Sequence, residues 1–196
     1  GLDAGTVSGR APGATCRPGS GVERGVRADR IDIGALATHA AVAAHPLVRD
    51  RAPVLAAACL TVGARQTRER GTLCGNVANA SPAADGAVAL LALDAAARVR
   101  SARGPAEGTE VPLEAFFKGP GETVLKAGEL VTSVGFDCPP EGAHGVYLKA
   151  GQRRALAIAI VSVAAVFGPA AGAVRIAIGS AAPTPIRVRA AEELFA

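Results

Sequence analysis

The sequence predicts an α+β fold built around a core of small aliphatic side chains, and three observations carry that prediction. Hydrophobic residues make up 49% of the 196-residue chain and charged residues 19%, which is a globular composition. Some segments alternate apolar and polar residues as strands do, while others are apolar runs that begin at Ser, Thr or Pro as helices do. Aromatic residues are only 3%, so Ala, Val, Leu and Ile must fill the core.

The first ordered element is predicted near Arg30, after 28 residues rich in Gly, Arg, Ala and Pro that show no period and are expected to be an irregular or disordered remnant. Apolar side chains at 31, 33 and 35 alternate with Asp32 and Gly34, which predicts a half-buried strand. Thr38 is the expected N-cap of a helix that runs through Ala44 and ends at Pro46. The apolar run at 53–62 predicts a second, buried helix.

The middle of the chain begins with a helix signal at Ser81-Pro82, where Ser would be the N-cap and Pro the first helical residue. This helix is expected to run to about Leu93, with Asp85 in its first turn, where the helix dipole favours a carboxylate. Strands are predicted at 97–100, 111–113 and 130–136, and a turn at 118–122.

A change of pattern after Pro139-Pro140 predicts a second, smaller unit at 141–196, after a first unit at 29–137. Three strands are expected in it, at 145–150, 160–167 and 173–179, and the last two are joined by a hairpin-like connection. A closing amphipathic helix is predicted at 185–195, with one apolar side formed by Ile186, Val188, Ala191 and Leu194.

The distribution of charge and the short apolar runs argue against a nucleic-acid-binding protein and against a membrane-spanning one. The net charge is +4, and the arginines are scattered without interleaved aromatic residues, so no nucleic-acid interface is expected. No apolar run reaches the ~18 residues that a membrane span requires. The chain begins with Gly and contains no Met, which predicts a fragment or a processed subunit.

The cysteines and histidines form no recognisable metal or nucleophile site. The four cysteines (Cys16, Cys59, Cys74 and Cys138) include no CxxC pair. Reduced thiols without a signal peptide predict a cytoplasmic protein. His39 and His45 are expected to shape helix ends, and neither a metal-ligand set nor a catalytic residue is predicted.

The stretch RGTLCGNVANASPAAD at 70–85 combines small residues with two amides. Glycines let a backbone approach a ligand closely, and backbone N–H groups ahead of a helix bind phosphate oxygens. The spacing matches neither the GxGxxG of a dinucleotide fold nor a P-loop. The residues alone leave two interpretations open, a tight turn or a contact with an extended polar ligand.

Five segments nevertheless occur in the same order and spacing in one known family. They are GALATHAAVAAHPLV at 34–48, RERGTLCGNVANASPAAD at 68–85, FFKGPGETVLKAGELVTSV at 116–134, YLKAGQRRALAIAIVSVAA at 147–165 and IAIGSAAPTPIR at 176–187. Through them, residues 24–196 resemble the FAD-binding medium subunit of the molybdenum hydroxylases, the group of xanthine dehydrogenase and carbon monoxide dehydrogenase.

The resemblance implies a vanillyl-alcohol-oxidase-type (PCMH-like) FAD-binding subdomain followed by a small C-terminal flavoprotein domain of antiparallel sheet plus helix. It implies an oxidoreductase component that carries FAD. The molybdenum cofactor is expected on a large partner subunit and the [2Fe-2S] clusters on a small one. Electrons are expected to pass from those clusters through FAD to an acceptor such as NAD⁺.

The resemblance also assigns cofactor-binding residues by position. The family's GT(I/V)GGN motif falls on 71–76, so the diphosphate and neighbouring sugar would be contacted by Thr72, Leu73, Cys74, Gly75 and Asn76. Asp85 matches an Asp on the adenosine side, Val62 a position near the adenine, and Val131 an apolar FAD contact. Lys149 matches the Lys that reaches the flavin. Without the resemblance, Lys149 would be interpreted as a strand-end lysine in solvent.

Two departures from the family pattern bear on FAD binding. Cys74 stands where the family has Gly, which would be unfavourable by about 1–2 kcal/mol if that position needs positive φ or a bare Cα against the phosphate. The family's first glycine-rich FAD loop is not found ahead of Arg30, so residues 1–21 are expected to be out-of-frame or rearranged sequence and FAD binding to be weak or absent. The alternative function is a truncated relic that keeps only the fold and subunit contacts; a free-standing FAD oxidase is a third.

Overall fold

Two antiparallel sheets lie on either side of a group of helices in the computed structural model, which describes residues 7–9, 30–153, 156–170 and 172–195. The helices are α1 (His39–Ala44), α2 (Pro46–Arg51), α3 (Pro53–Thr61), α4 (Arg65–Arg70), α5 (Leu73–Ala78), α6 (Asp85–Ala92), α7 (Leu113–Phe116) and α8 (Arg189–Glu192), the last continued by a 3-10 turn at Glu193–Phe195. Within the described residues, none of these helices is long and apolar enough to cross a bilayer.

The strands are β1 (Val7–Gly9), β2 (Arg30–Gly34), β3 (Ala96–Ser101), β4 (Thr109–Pro112), β5 (Phe117–Gly119), β6 (Glu122–Thr123), β7 (Glu129–Asp137), β8 (His144–Gly151), β9 (Ala159–Phe167), β10 (Val174–Gly179) and β11 (Ile186–Arg187). One sheet has the order β1-β2-β7-β3-β4 and the other the order β11-β10-β9-β8, and β5 and β6 form a separate hairpin. All of these strand pairs are antiparallel.

Helix α6 is the centre of the core. Its sequence DGAVALLA is apolar on every side after Asp85, and all eight of its residues are buried. It packs on β9 and β10 of the four-stranded sheet, and α3 packs beside it and on β8. On the opposite side, α5 contacts both α6 and strand β7 of the five-stranded sheet. One continuous apolar cluster therefore joins both sheets, from Ile31 to Ala177.

Most sequence predictions of elements are confirmed. The strand near Arg30 is β2, and Thr38 caps α1 by accepting a hydrogen bond from Ala41 N at 3.2 Å. The buried apolar helix is α3. The three strands expected after Pro140 are β8, β9 and β10, and the expected turn at 118–122 joins β5 to β6. Helices α2, α4, α5 and α7 were not predicted, and α7 begins at Leu113, which was expected to end a strand. The division into two units stays a prediction.

The predicted start of α6 at Ser81-Pro82 is wrong, because the helix begins at Asp85. Ser81 Oγ instead accepts a bond from Ala83 N, and Pro82 O accepts one from Ser180 N at 2.9 Å. This second bond ties the turn to the end of β10, so the carbonyl of Pro82 pairs with a distant strand rather than with a helical N–H.

Both chain ends also differ from the predictions. Residues 7–9 form β1 on the edge of β2, whereas no strand was expected before Arg30; the remainder of the predicted remnant lies outside the described residues. The prediction of a closing helix at 185–195 is wrong over its first half, because Ile186 and Arg187 form β11, which pairs with β10. Leu194, expected on the apolar side, is 84% exposed.

Candidate functional site

Asp85, Tyr147 and Lys149 form a buried polar network where α6 meets β8. The amine of Lys149 donates to Asp85 Oδ2 at 2.7 Å, and the hydroxyl of Tyr147 donates to Asp85 Oδ1 at 2.5 Å. Lys149 Nζ also donates to the carbonyl of Thr61, at the end of α3, at 3.2 Å. The side chains of Lys149 and Asp85 are only 11% and 5% exposed, so the interpretation of Lys149 as a solvated lysine is wrong.

The alternation of side chains along a β-strand explains why Tyr147 and Lys149 lie on the same face of β8. Tyr147 and Lys149 are two residues apart on β8, and residues at that spacing share one face of a strand. That face covers α3, which brings the carbonyl of Thr61 within reach. Burial raises the pKa of Tyr147, and the neighbouring Asp85 carboxylate raises it further. Tyr147 therefore keeps its proton and acts as a donor.

An open cleft of about 430 Å³ lies above Lys149. One wall is the end of α3 and the start of α4, and the other is the connection between β8 and β9. The walls supply two leucines, Leu60 and Leu156, and four cationic side chains: Arg65, Arg68, Lys149 and Arg153. Among the residues that the structure describes, no Asp or Glu lines the cleft, so the cleft suits a ligand that combines an apolar part with negative charge.

The glycine-rich stretch 71–76 is a short helical turn rather than an open loop. Thr72 is the N-cap of α5, and its Oγ1 accepts a bond from Gly75 N at 3.0 Å. The amide of Leu73 donates to Ala37 O at 3.0 Å. A Cβ on Gly75 would lie 2.7 Å from Thr72 Oγ1, so glycine at this position preserves the cap.

Cys74 occupies its position without backbone strain. It lies inside α5 and is not among the described residues with positive φ, so the positive-φ case considered for this substitution does not arise. The side chain is buried, and its Sγ points at Ile33 O, 3.7 Å away. Burial raises the pKa of this thiol to about 12. Cys74 thus packs as a small apolar residue between α5 and the five-stranded sheet.

Asn76 and His39 carry buried polar atoms without a partner among the described residues. These atoms are Oδ1 of Asn76 and Nδ1 of His39. Both side chains border Gly86, because a Cβ there would lie 3.0 Å from Asn76 Oδ1 and 3.7 Å from His39 Cε1. The pKa of His39 is lowered, chiefly because the imidazole is buried. The nearby carboxylate of Asp85 opposes this shift, and the positive charge of Arg68 adds to it. The polar group next to the network is therefore a neutral imidazole.

The structure brings some predicted site residues together and leaves others apart. Val62 ends α3 beside the cleft, and its carbonyl accepts a bond from Arg68 at 3.1 Å. Val131 lies on β7 opposite Val99 and does not line the cleft. The binding roles assigned to these residues, to Asp85, to Lys149 and to 72–76 stay predictions.

Sequence reasoning missed Tyr147 and Arg68, and it assigned His39 only to a helix end, where the structure places it as the first residue of α1. Tyr147 could have been found, because it is the only tyrosine of the chain and stands two residues before Lys149 on a predicted strand. His39 and Arg68 gave no local signal, since their positions depend on how α1 and α4 pack. Among the described residues, no group of three or more His, Cys, Asp or Glu side chains could hold a metal ion.

Comparison with known families identifies the chain. A sequence model of the family described as the FAD binding domain in molybdopterin dehydrogenase matches residues 22–136. The chain belongs to this family. The resemblance to FAD-binding medium subunits is therefore confirmed, and so is the expected oxidoreductase class of its relatives.

Two curated relatives show the extent of the similarity. The nicotinate dehydrogenase FAD-subunit of Eubacterium barkeri is 34% identical over 139 residues, which cover 69% of this chain and 46% of the relative. The xanthine dehydrogenase FAD-binding subunit of Escherichia coli O157:H7 is 32% identical over 167 residues, covering 82% and 56% respectively. The chain thus spans about half the length of these relatives.

A solved structure agrees with the fold. Carbon monoxide dehydrogenase from Oligotropha carboxidovorans superposes with a TM-score of 0.79 at 25% identity, over 86% of this chain and 59% of the matched chain. The predicted α+β class, with helices and antiparallel sheets in the arrangement of such FAD subunits, is confirmed.

Proposed function

We propose that this chain is the FAD-binding electron-transfer subunit of a molybdenum hydroxylase. Membership in the family of FAD-binding domains supports the choice of cofactor. The observation that carries the proposal within the structure is the lysine amine held by Asp85 and Thr61 at the base of the cleft. A fixed cation beneath a cleft of this size is suited to a flavin, whose reduced ring carries negative charge.

The residues present fit FAD in three respects. A cleft of about 430 Å³ lies within the range of cofactor pockets and takes part of an extended dinucleotide. The buried Oδ1 of Asn76 has no described partner, and a sugar hydroxyl would satisfy it. The leucines of the walls offer apolar surface for a ring system. Thr72 to Asn76 would lie along the diphosphate and sugar, with Val62 and Val131 as apolar contacts.

The chain's own residues position charge at the base of the cleft. Asp85 accepts from both Tyr147 and Lys149, so its carboxylate fixes the direction of the lysine amine. Because Tyr147 stays protonated, it does not compete with the lysine for a proton. When bound, FAD supplies the redox chemistry, taking up electrons and releasing them again.

We place the chain in a cytoplasmic complex with a large subunit that carries the molybdenum cofactor and a small subunit with [2Fe-2S] clusters. Electrons would come from those clusters and leave to NAD⁺ or another acceptor. The support is the naming of relatives as subunits, including a carbon monoxide dehydrogenase medium chain of Hydrogenophaga pseudoflava that is 29% identical over 84% of this chain.

A titration of the purified chain with FAD tests the proposal, followed by quenching of flavin fluorescence. We expect binding that is saturable but weak, because the family's first glycine-rich FAD loop is not found in the sequence. The affinity should fall further in Lys149→Gln and stay unchanged in Lys118→Gln, since Lys118 is an exposed lysine on β5. Should Lys149→Gln fail to fold, the double variant Asp85→Asn/Lys149→Gln replaces it, because it leaves no buried charge unpaired. A folded chain that binds no FAD would overturn the proposal in favour of a relic.

A further inference from the structure

The two sheets differ in the faces that they turn away from the helices. On the five-stranded sheet, Arg30 donates to Asp32 Oδ1 at 3.2 Å and to Glu110 Oε1 at 3.0 Å, and Arg98 donates to the same Glu110 oxygen at 2.6 Å. Antiparallel sheets that meet water on one side carry polar side chains on that side. The outer face of the five-stranded sheet is therefore suited to solvent.

The four-stranded sheet has an apolar outer face instead. Tyr147 and Lys149 point toward α3 and α6, so the side chains that alternate with them on β8 point outward. The strand register continues these outward positions across β9, β10 and β11. This apolar face is formed chiefly by Val146, Leu148, Val163, Ile176, Ile178 and Ile186.

The apolar face is open among the residues that the structure describes. Helices α3 and α6 pack on the opposite side of the sheet, and Leu148 is 64% exposed, Val146 41% and Ile186 39%. Of the outward positions described on these four strands, only His144, at a corner of the sheet, is polar. Monomeric proteins rarely leave so continuous an apolar surface in water, so the apolar face has the character of a binding surface.

The chemistry of the apolar face favours a second copy of the same face as its partner. Its described positions present no charged side chain that would select an acidic or a basic surface, so the match must come from apolar side chains alone. An identical face meets this requirement, because two sheets stack about 10 Å apart with their strands within about 30° of each other. A contact of this kind about a two-fold axis closes at two copies.

The size of the apolar face indicates how tight such a contact can be. Four strands about 4.8 Å apart, each about six residues long at ~3.3 Å per residue, form a surface of roughly 400 Å². Two stacked copies would bury roughly 800–1,000 Å² in total, which is near the lower limit of specific interfaces. The association should therefore be weak, with a Kd of about 10–100 μM.

We propose that the apolar face is a self-association surface, on which a second copy of this chain stacks to form a two-fold dimer. Leu148 and Val163 are paired across β8 and β9 and belong to the row of the apolar face that crosses all four strands. Lys149 points to the other side of the sheet, so self-association and the cleft use different faces. The inference does not rest on the proposed function.

Sedimentation equilibrium of the purified chain, from about 1 to about 500 μM, tests the proposal. We expect a monomer–dimer equilibrium that is weakened about tenfold or more in Leu148→Glu, because this change removes apolar contact and brings like charges together. Leu130→Glu is the matched control and should associate as wild type does, since Leu130 is 70% exposed on β7 of the other sheet. Thermal unfolding shows whether each variant is folded, and Val146→Glu carries the test if Leu148→Glu is not.

Three results would overturn the proposal. A chain that stays monomeric at about 500 μM would leave the apolar face to a different protein segment. A dimer of equal strength in Leu148→Glu would place the contact elsewhere on the molecule. Association that continues beyond two copies would exclude a two-fold contact, because such a contact closes at the dimer. A failure of FAD binding would leave the dimer and its dependence on Leu148 unchanged.

Discussion

The amine of Lys149 lies 2.7 Å from Oδ2 of Asp85, with both side chains nearly enclosed. Asp85 begins the central helix α6, whereas Lys149 lies on β8 beyond the Pro139-Pro140 boundary. The ion pair therefore joins the two sequence segments that were predicted as separate units. It also fixes the ammonium group of Lys149 at the base of the cleft, so the same contact serves packing and the candidate site.

Removing the charge of Asp85 is expected to destabilise the fold strongly. Asp85→Asn keeps the shape of the side chain but leaves the buried ammonium of Lys149 without a counter-charge, which costs about 3–5 kcal/mol of unfolding free energy. Urea unfolding measures the difference, with Asp50→Asn as control for an exposed aspartate. The double variant Asp85→Asn/Lys149→Gln should recover part of the loss. A loss below ~1 kcal/mol in Asp85→Asn would contradict the role of this pair.

Thr72 and Gly75 are expected to be coupled energetically. Thr72→Ala removes the N-cap of α5 and should cost about 1 kcal/mol. Gly75→Ala should destabilise the wild-type chain, because its Cβ would meet Thr72 Oγ1 at 2.7 Å. In the Thr72→Ala background that obstacle is gone, and alanine should then stabilise the helix by up to about 1 kcal/mol.

A double-mutant cycle from urea unfolding measures this coupling. Thr109→Ala on exposed β4 controls for the loss of a threonine elsewhere. Additive effects of Thr72→Ala and Gly75→Ala would show that the cap and the glycine act independently.

Local signals predicted the elements whose determinants lie within a few residues. Thr38 caps α1 through a bond to an amide three residues ahead, and the alternation around Ile31 needs no distant partner to be recognised. The element predictions that proved wrong, at 81–82 and at 185–187, share one cause, which is contact with residues distant in the sequence. The carbonyl of Pro82 is bonded to Ser180 N, and Arg187 lies in β11 because it pairs with β10 and with Asp94 in the turn after α6.

The candidate site was predictable only in part for the same reason. Resemblance pointed to Lys149 and Asp85 separately, but no pattern in the sequence indicated that they contact each other. The alternation on β8 could have added Tyr147. Arg68 and Arg153 line the same cleft although they lie far apart in the sequence, and no local period encodes that relationship.

The two buried thiols are expected to resist modification. Burial raises the pKa of Cys59 and of Cys74 to about 12, so at pH 8 only a minute fraction of either is the reactive thiolate. In a Cys16→Ala/Cys138→Ala variant, a disulfide reagent should label the folded chain slowly and label both remaining thiols at once in urea. Rapid labelling of the folded variant at pH 8 would show that α3 or α5 opens readily.

The bond between Arg187 and Glu192 is expected to make stability depend on pH in the acid range. Arg187 Nε donates to Glu192 Oε1 at 2.7 Å, and this contact holds the pKa of Glu192 below its usual value. A carboxyl with a lowered pKa in the folded state contributes stability above its unfolded-state pKa of about 4.5. That contribution disappears as the pH falls through the folded-state pKa.

Glu192→Gln should therefore cost about 1.5–3 kcal/mol at pH 7, and the difference from wild type should shrink steadily below about pH 4.5. Urea unfolding at a series of pH values measures it, with Glu141→Gln as control because Glu141 is exposed. A difference that stays constant down to pH 3 would mean that Glu192 acts through the shape of its side chain. In that case the end of the chain would be held to β10 by its neutral hydrogen bond to Ile176 N rather than by charge.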